Sequence, residues 1–244
     1  AVAMGVGLVT AAFPEGAYAA IASKLTEPLL LPLYANREGT FAQAALPPLC
    51  TALEKASAVL IGCGLGVNED TAYLVQELLA KASCPVILDA DGINIVAAHI
   101  DMLKAAKAPL ILTPHPGEMA RLCNCTVAEI QADRAGTARR FAQEHGVTLV
   151  LKGANTVIAD GRSASLLVNR TGNPGMAKGG SGDLLAGMLA ALAAQGMEPL
   201  QAAAAAVYLH GLAGDAAARR YSMCGMTPTL MAQELPLLLK DFAG

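Results

Sequence analysis

Residues 85–122 read PVILDADGINIVAAHIDMLKAAKAPLILTPHPGEMARL, a segment in which short apolar runs alternate with longer helical patterns. The runs at 85–89 and 109–113 are continuously hydrophobic, which is typical of strands buried on both faces of a parallel sheet. The longer runs at 93–98 and 117–122 predict helices. This alternation predicts a parallel sheet that is covered by helices on both of its faces.

The rest of the chain extends this pattern and then changes it. Earlier strand–helix pairs are predicted at 7–13 with 15–25 and at 58–61 with 69–81. Three short strands then follow in quick succession at 147–151, 156–159 and 165–168, with Asp160-Gly161 supplying a hairpin turn. They predict an antiparallel edge on the parallel sheet. The last third is predicted to be helical, at 184–195, 200–221 and 229–242.

Length and composition indicate one globular α/β domain over residues 1–244. The chain is 54% hydrophobic and only 15% charged, and its 17 basic and 20 acidic residues give a net charge of -3. Without a basic run, nucleic acid is not an expected partner. The mean hydropathy is +0.45, yet the longest uncharged runs fall short of the roughly 20 apolar residues that span a bilayer, so no membrane partner is expected.

The N-terminus and the cysteines give an expectation for the cellular compartment. The opening residues lack the basic flank and cleavage-like end of a signal peptide. Six cysteines are scattered without a disulfide-like framework or zinc-ligand spacing. We therefore expect a cytoplasmic protein with free thiols.

The segment NPGMAKGGSGD, residues 173–183, carries the clearest functional signal. Glycines at 179, 180 and 182 precede a predicted helix, so that backbone N–H groups can converge on a phosphate at the positive end of the helix dipole. Asp183 is placed to take a proton from an attacking hydroxyl, which indicates phosphoryl transfer. The alternative is an ordinary turn in which Ser181 or Asp183 caps the helix.

Two further loops follow predicted strands. The loop GCGLG at 62–66 has two glycines of a dinucleotide fingerprint, but Val67 stands where the third is expected, so hydride transfer is disfavoured. Its glycines allow either close approach to a ligand or a tight turn. The loop KGANT at 152–156 offers a cation, a flexible backbone and a hydroxyl, which suit nucleotide phosphates or ribose as well as an exposed turn. No P-loop pattern occurs.

His115 stands between two prolines at a predicted strand end, a setting that favours substrate contact over a structural role. Glu118 follows three residues later. It is suited either to bind Mg²⁺ through water or to cap the helix that begins near Gly117. A core role is expected for His210, which lies in an alanine-rich helix.

Six motifs together resemble the NAD(P)H-hydrate dehydratase family of the ribokinase-like superfamily. They are GVGLVT at 5–10, GCGLG at 62–66, LDADGIN at 88–94, TPHPGE at 113–118, KGANT at 152–156 and the glycine-rich segment at 173–183. The resemblance implies a three-layer α/β/α sandwich with a mostly parallel sheet and an antiparallel edge. It also implies that the chain lacks the family's first strand–helix unit and carries nothing of the epimerase domain that many relatives possess.

The resemblance also implies roles for individual residues. Asp183 is implied to be catalytic, and the hydrated nicotinamide substrate is expected to contact Ala1, Gly64, His115 and Asp183. The adenine nucleotide is expected to contact Lys152, Gly153, Ala154, Asn155, Thr156, Gly179, Gly180, Ser181 and Gly182. The implied cofactors are Mg²⁺ and a phosphoryl donor, ADP or ATP, with ADP favoured. A homo-oligomer, in some members a tetramer, is expected.

The implied reaction is dehydration of the S epimer of NADHX or NADPHX, the hydrated forms of NADH and NADPH. Hydroxide leaves poorly from ring carbon 6, and phosphorylation of that hydroxyl makes it a good leaving group. Two alternatives remain open. A small-molecule kinase acting on a sugar or a hydroxymethylpyrimidine would share the glycine-rich loop, and a regulatory nucleotide-binding protein would bind without turnover.

Overall fold

The computed structural model describes residues 1–240, which contain eight strands and eleven α-helices. The strands are β1 Thr10–Pro14, β2 Leu29–Leu33, β3 Val59–Ile61, β4 Val86–Leu88, β5 Leu110–Leu112, β6 Thr148–Leu151, β7 Val157–Asp160 and β8 Leu166–Val168. The helices are α1 Tyr18–Ala22, α2 Leu46–Leu53, α3 Glu69–Lys81, α4 Asp91–Ala98, α5 Met102–Ala105, α6 Pro116–Leu122, α7 Val127–Ala132, α8 Arg134–His145, α9 Ser181–Ala194, α10 Pro199–Gly225 and α11 Pro228–Lys240. The end of the last predicted helix, at 241–242, lies outside the described residues.

The central sheet has six strands in the order β3-β4-β5-β6-β7-β8. Pairing is parallel from β3 to β6 and antiparallel from β6 through β8. The predicted parallel sheet with an antiparallel edge is therefore confirmed. Because consecutive strands are neighbours, the carboxyl ends of β3, β4, β5 and β6 lie side by side along one edge.

Alternate residues of each central strand face opposite sides of the sheet. On one side Leu88, Leu112 and Leu149 pack with α3, α4, α6 and α8. On the other side Ile87 and Ile111 pack with α9, α10 and α11. The runs looked continuously hydrophobic because both faces are covered, and the three-layer arrangement is the one expected.

The N-terminal segment differs from the prediction. Strand β1 pairs in parallel with β2 in a separate two-stranded sheet and does not join the central one. Phe13 is its buried residue, whereas Thr10 and Ala12 are exposed. Strand β2 was not predicted, and Pro32 within it removes a backbone donor and hides the strand pattern. Helices α2, α5, α7 and α8 were also not predicted.

Two glycines allow the ends of β3 and β4 to pack closely. Gly62 has φ +134°, and a Cβ built on it would lie 1.7 Å from the Asp89 carbonyl oxygen. A Cβ on Gly92 would lie 2.6 Å from the carbonyl oxygen of Ile61. The backbone after β3 therefore touches the backbone after β4. Within residues 1–240, no helix combines the length and the apolar character needed to cross a bilayer.

The Gly62 contact gives a stability prediction. Gly62→Ala should lower the free energy of unfolding by about 2–4 kcal/mol, because its methyl group meets backbone and its φ is unfavourable for alanine. Gly7→Ala is the matched control, since nothing lies within 4 Å of a Cβ there. Urea unfolding of both variants measures the difference, and equal stabilities would contradict this account of the β3–β4 contact.

Candidate functional site

The residue that follows each of three neighbouring strands brings a polar side chain to one edge of the sheet. Asp89 follows β4, Thr113 follows β5 and Lys152 follows β6. Their backbone N–H groups continue the ladder, donating to the carbonyl oxygens of Ile61, Leu88 and Pro114. The sheet thus holds the three side chains in fixed positions.

Lys152 and Asp89 form a buried ion pair at this edge. Lys152 Nζ lies 2.6 Å from Asp89 Oδ1, and the two side chains are 18% and 2% exposed. The Thr113 hydroxyl donates to the same oxygen at 2.8 Å. Burial of either charge alone would be costly, so each group holds the other in place.

The start of α9 lies directly beside this ion pair. A Cβ built on Gly182 would be 3.3 Å from Lys152 Nζ and 3.8 Å from Asp89 Oδ2. The N-cap residue is Gly180, with φ 86°, and no side chain caps the helix. The capping alternative for Ser181 or Asp183 is therefore not what the structure shows. Ser181 N donates to the Lys178 carbonyl oxygen, and the next residue of the helix start, Gly182, lies beside the Lys152 ammonium. A helix start next to a cation suits an anion.

Ser181 contacts His210, a residue of α10, on the interior side of the glycine-rich loop. The distance from Ser181 Oγ to His210 Nε2 is 3.3 Å, and both residues are buried. Burial lowers the pKa of His210 to about 4, and the nearby Lys152 charge adds to this effect. His210 is therefore neutral near pH 7 and supports the glycine-rich loop, in agreement with the expected core role.

Asp183 is exposed at the start of α9 and faces Cys63 in the loop after β3. One ligand atom each from Cys63, Asp89 and Asp183 lies within 4.8 Å of the others, and Cys63 Sγ is 3.7 Å from Asp89 Oδ2. Cys63 is exposed as a residue, but partial burial of its sulfur, together with the negative charges of Asp89 and Asp183, raises the pKa of its thiol far above the usual range. Cys63 is therefore a protonated thiol, and Asp183 remains open to solvent.

His115 and Glu118 form a capping box at the start of α6. Glu118 Oε2 accepts from His115 N at 2.7 Å, and His115 Nδ1 accepts from Gly117 N at 2.9 Å. Glu118 is 5% exposed, and its Oε2 lies 3.8 Å from Lys152 Nζ. The capping role expected for Glu118 is confirmed, and the carboxylate also faces the lysine. The His115 ring is half exposed toward solvent.

The remainder of the KGANT loop is a solvent-exposed turn. Gly153 and Asn155 have positive φ values of 146° and 56°. Arg134 of α8 supports the turn, donating to the carbonyl oxygens of Leu151, Lys152 and Ala154 at 3.0–3.2 Å. Of the five loop residues, Lys152 is the one that the structure brings to the ion pair.

Two predicted substrate contacts lie at the margins of this arrangement. Gly64, with φ 68° and exposed, follows Cys63 directly. Ala1 N lies 3.3 Å from a Cβ built on Gly187. Gly187 is four residues after Asp183 and therefore lies on the same face of α9. Both residues therefore lie on the same side of the ion pair as Asp183.

Sequence reasoning did not assign roles to Asp89, Thr113, Cys63 or Arg134. Asp89 and Thr113 belong to motifs that were noted at strand ends, and that position was the available signal. The partnership of Asp89 with Lys152, 63 residues apart, depends on the strand order. Cys63 also lies at a strand end, in the GCGLG loop, but the sequence indicates no partner for its thiol. Arg134 carries no such signal, because its contacts arise only in the folded chain.

Comparison with known proteins adds the following. The chain matches, over residues 1–237, the model of a family described as NAD(P)H-hydrate dehydratase. A bifunctional NAD(P)H-hydrate repair enzyme of Moorella thermoacetica is 45% identical over 239 residues, which are 97% of this chain and 44% of that protein. The chain therefore spans less than half the length of that relative.

Solved structures agree with the fold. A Bacillus subtilis protein, described as ADP/ATP-dependent NAD(P)H-hydrate dehydratase co-crystallized with ATP/Mg²⁺, superposes with a TM-score of 0.82 at 31% identity, covering 99% of this chain and 82% of that one. A ribokinase-like superfamily protein of Enterococcus faecalis superposes with a TM-score of 0.84 at 28% identity, covering 99% and 80%. The fold is ribokinase-like.

The buried ion pair makes a stability prediction that is independent of activity. Asp89→Asn should lower the free energy of unfolding by about 2–4 kcal/mol, because the Lys152 ammonium loses its buried counter-charge. The control is Asp101→Asn, which removes an exposed carboxylate that pairs with Lys104 and should have no measurable effect. Urea unfolding of both variants tests this, and an unchanged Asp89→Asn midpoint would contradict the assigned role of the pair.

Proposed function

The chain belongs to the NAD(P)H-hydrate dehydratase family, and we propose that it performs the nucleotide-dependent dehydration of hydrated NAD(P)H, the S epimer of NADHX or NADPHX. The observation that carries this proposal is the close approach of Gly182 to the Lys152 ammonium. At this point the start of α9, which no side chain caps, brings the exposed carboxylate of Asp183 near the lysine. An anion site next to a free carboxylate is the arrangement that phosphoryl transfer to a hydroxyl requires.

The nucleotide is proposed to place its terminal phosphates at Gly179, Gly180, Ser181 and Gly182. Backbone N–H groups at a helix start bind phosphate, and Lys152 adds a positive charge at the same place. The exposed turn from Gly153 to Thr156 is proposed to contact the rest of the nucleotide. These donors are preorganised by Arg134 and His210, so little reorganisation accompanies binding.

Asp183 is proposed to act on the acceptor. The hydroxyl oxygen at ring carbon 6 forms a bond to the terminal phosphorus, the bond from that phosphorus to the nucleotide breaks, and Asp183 accepts the hydroxyl proton. The ring nitrogen lone pair then expels phosphate, and loss of a proton from carbon 5 restores the dihydropyridine. Gly64, His115 and Ala1 are proposed to bind the nicotinamide side.

Mg²⁺ is proposed to accompany the nucleotide, and the donor set is compatible with it. Glu118 offers the carboxylate oxygens that Mg²⁺ prefers, in combination with phosphate oxygens and water. Both oxygens of Glu118 already face His115, so contact through water is the proposed mode. When bound, the ion neutralises the charge on the phosphates.

Three finer proposals concern the phosphoryl donor, the oligomeric state and the cellular compartment. We favour ADP as the donor, and titration of ADP and ATP in one turnover assay tests this, since a tenfold preference for ATP would refute it. We also propose a cytoplasmic homo-oligomer, in keeping with the family resemblance. Light scattering of the purified protein measures the assembly.

Asp183→Asn should reduce turnover by about 10²–10⁴ while leaving nucleotide affinity nearly unchanged, because Asp183 serves the acceptor hydroxyl. Turnover assays and nucleotide titrations separate the two effects. Asp101→Asn serves as the matched control and should behave like the wild type in both. A variant with near wild-type turnover would show that Asp183 is not the base.

Incubation of the protein with hydrated NADH or NADPH, Mg²⁺ and a nucleotide should restore dihydronicotinamide absorbance, with one phosphate released for each ring restored. A plain kinase would instead accumulate a stable phosphorylated product, and a regulatory binder would change neither signal. His115→Ala should weaken substrate use more than nucleotide binding. If neither ADP nor ATP restores the absorbance, the dehydratase proposal is wrong.

A further inference from the structure

Three side chains from separate parts of the chain come together beside the Lys152–Asp89 ion pair. Cys63 belongs to the loop after β3, Asp89 to the end of β4 and Asp183 to the first turn of α9. Their ligand atoms lie within 4.8 Å of one another, and Cys63 Sγ is 3.7 Å from Asp89 Oδ2. A thiol and two carboxylates in this proximity form a mixed sulfur and oxygen donor set.

The donor set has the dimensions of a divalent metal site. Zinc binds sulfur at about 2.3 Å and carboxylate oxygen at about 2.0–2.2 Å, which places neighbouring ligand atoms roughly 3–4 Å apart. The Cys63–Asp89 distance is already in that range, and the exposed Asp183 side chain is free to adjust. Three protein ligands would leave a fourth position for water.

The charges of the cluster also favour a cation. The negative charges of Asp89 and Asp183, which lie beside the Cys63 thiol, would be neutralised by a metal ion. When the metal–sulfur bond forms, the thiol proton passes to solvent. Sulfur is a poor ligand for Mg²⁺ and a good one for zinc and cadmium, so the thiol confers selectivity.

Lys152 repels a cation on one side of Asp89 but leaves one carboxylate oxygen available. Its ammonium lies 2.6 Å from Asp89 Oδ1 and opposes a second cation nearby. The other oxygen, Oδ2, faces Cys63 and Gly182. That oxygen remains available to a metal ion while Oδ1 keeps the lysine.

We propose that Cys63, Asp89 and Asp183 form a binding site for a thiophilic divalent cation such as Zn²⁺, and that its occupancy inhibits the protein. The inhibition rests on the proposed function, because the metal would occupy the Asp183 carboxylate that is assigned to the acceptor hydroxyl. Binding of the metal does not depend on that assignment. The two parts therefore need separate measurements.

Cadmium titration of the metal-free protein measures binding, because a cadmium–thiolate bond gives an ultraviolet charge-transfer band. We expect a saturable band that Cys63→Ser removes and that excess Mg²⁺ does not displace. Asp183→Asn should weaken cadmium affinity by about 10-fold or more. Cys224→Ser, which removes an exposed cysteine outside the cluster, should bind like the wild type.

Cys123 and Cys125 can also contribute a band, since Cys125 lies close enough to affect the Cys123 thiol. The signal is therefore taken as the difference between the wild type and Cys63→Ser, and Cys125→Ser should leave that difference intact. A titration in which Cys63→Ser matches the wild type would overturn the proposed site.

Turnover assays with Zn²⁺ test the inhibitory part. Zinc should abolish turnover by the wild type, a chelator should restore it, and Cys63→Ser should tolerate more zinc than Cys224→Ser. Equal sensitivity of the two variants would overturn the inhibition. If no nucleotide supports turnover, the proposed function fails, and the cadmium difference alone then decides the metal site.

Discussion

The ion pair between Lys152 and Asp89 is the interaction on which the rest of the site depends, because it joins the sheet to the glycine-rich loop. The two residues end β6 and β4, and Thr113 of the strand between them donates to the shared Asp89 oxygen. Asp89 is buried and Lys152 is largely so, and each charge is satisfied by the other. Pairing fixes the ammonium beside Gly182, in the first turn of α9. The proposed anion site therefore depends on the sheet as much as on the loop.

The sheet could be predicted because burial on both faces leaves a direct signature in the sequence. Runs such as Val86–Leu88 and Leu110–Leu112 are apolar at every position, since both neighbouring layers are helical. The β1–β2 pair carries no such signature. Its strands are partly exposed, and Pro32 interrupts the pattern of β2. Pairing of that kind depends on tertiary contacts that local sequence does not record.

The site divides in the same way. The loop at 173–183 and the capping role of Glu118 are local, so residue types and spacing predict them. The capping role of His115 was not predicted, because its two flanking prolines favoured substrate contact. The convergence of Cys63, Asp89 and Asp183 depends on the strand order and on the placement of α9. The backbone of Ala90 is a further example, with φ 48° and ψ −116°, values that alanine seldom adopts. Local sequence does not predict such a conformation at the residue that follows Asp89.

The two aspartates of the cleft illustrate how burial separates structural from chemical roles. Asp89 is 1% exposed, and its Oδ1 is held by the Lys152 ammonium. Asp183 is exposed and, among residues 1–240, forms no salt bridge. Its oxygens are therefore free for an incoming hydroxyl or a metal ion. Because Asp89 holds the lysine against the sheet, the positive charge stays at the proposed phosphate position and does not follow Asp183. A fixed cation for the proposed phosphate site thus lies beside an uncommitted carboxylate for the proposed acceptor.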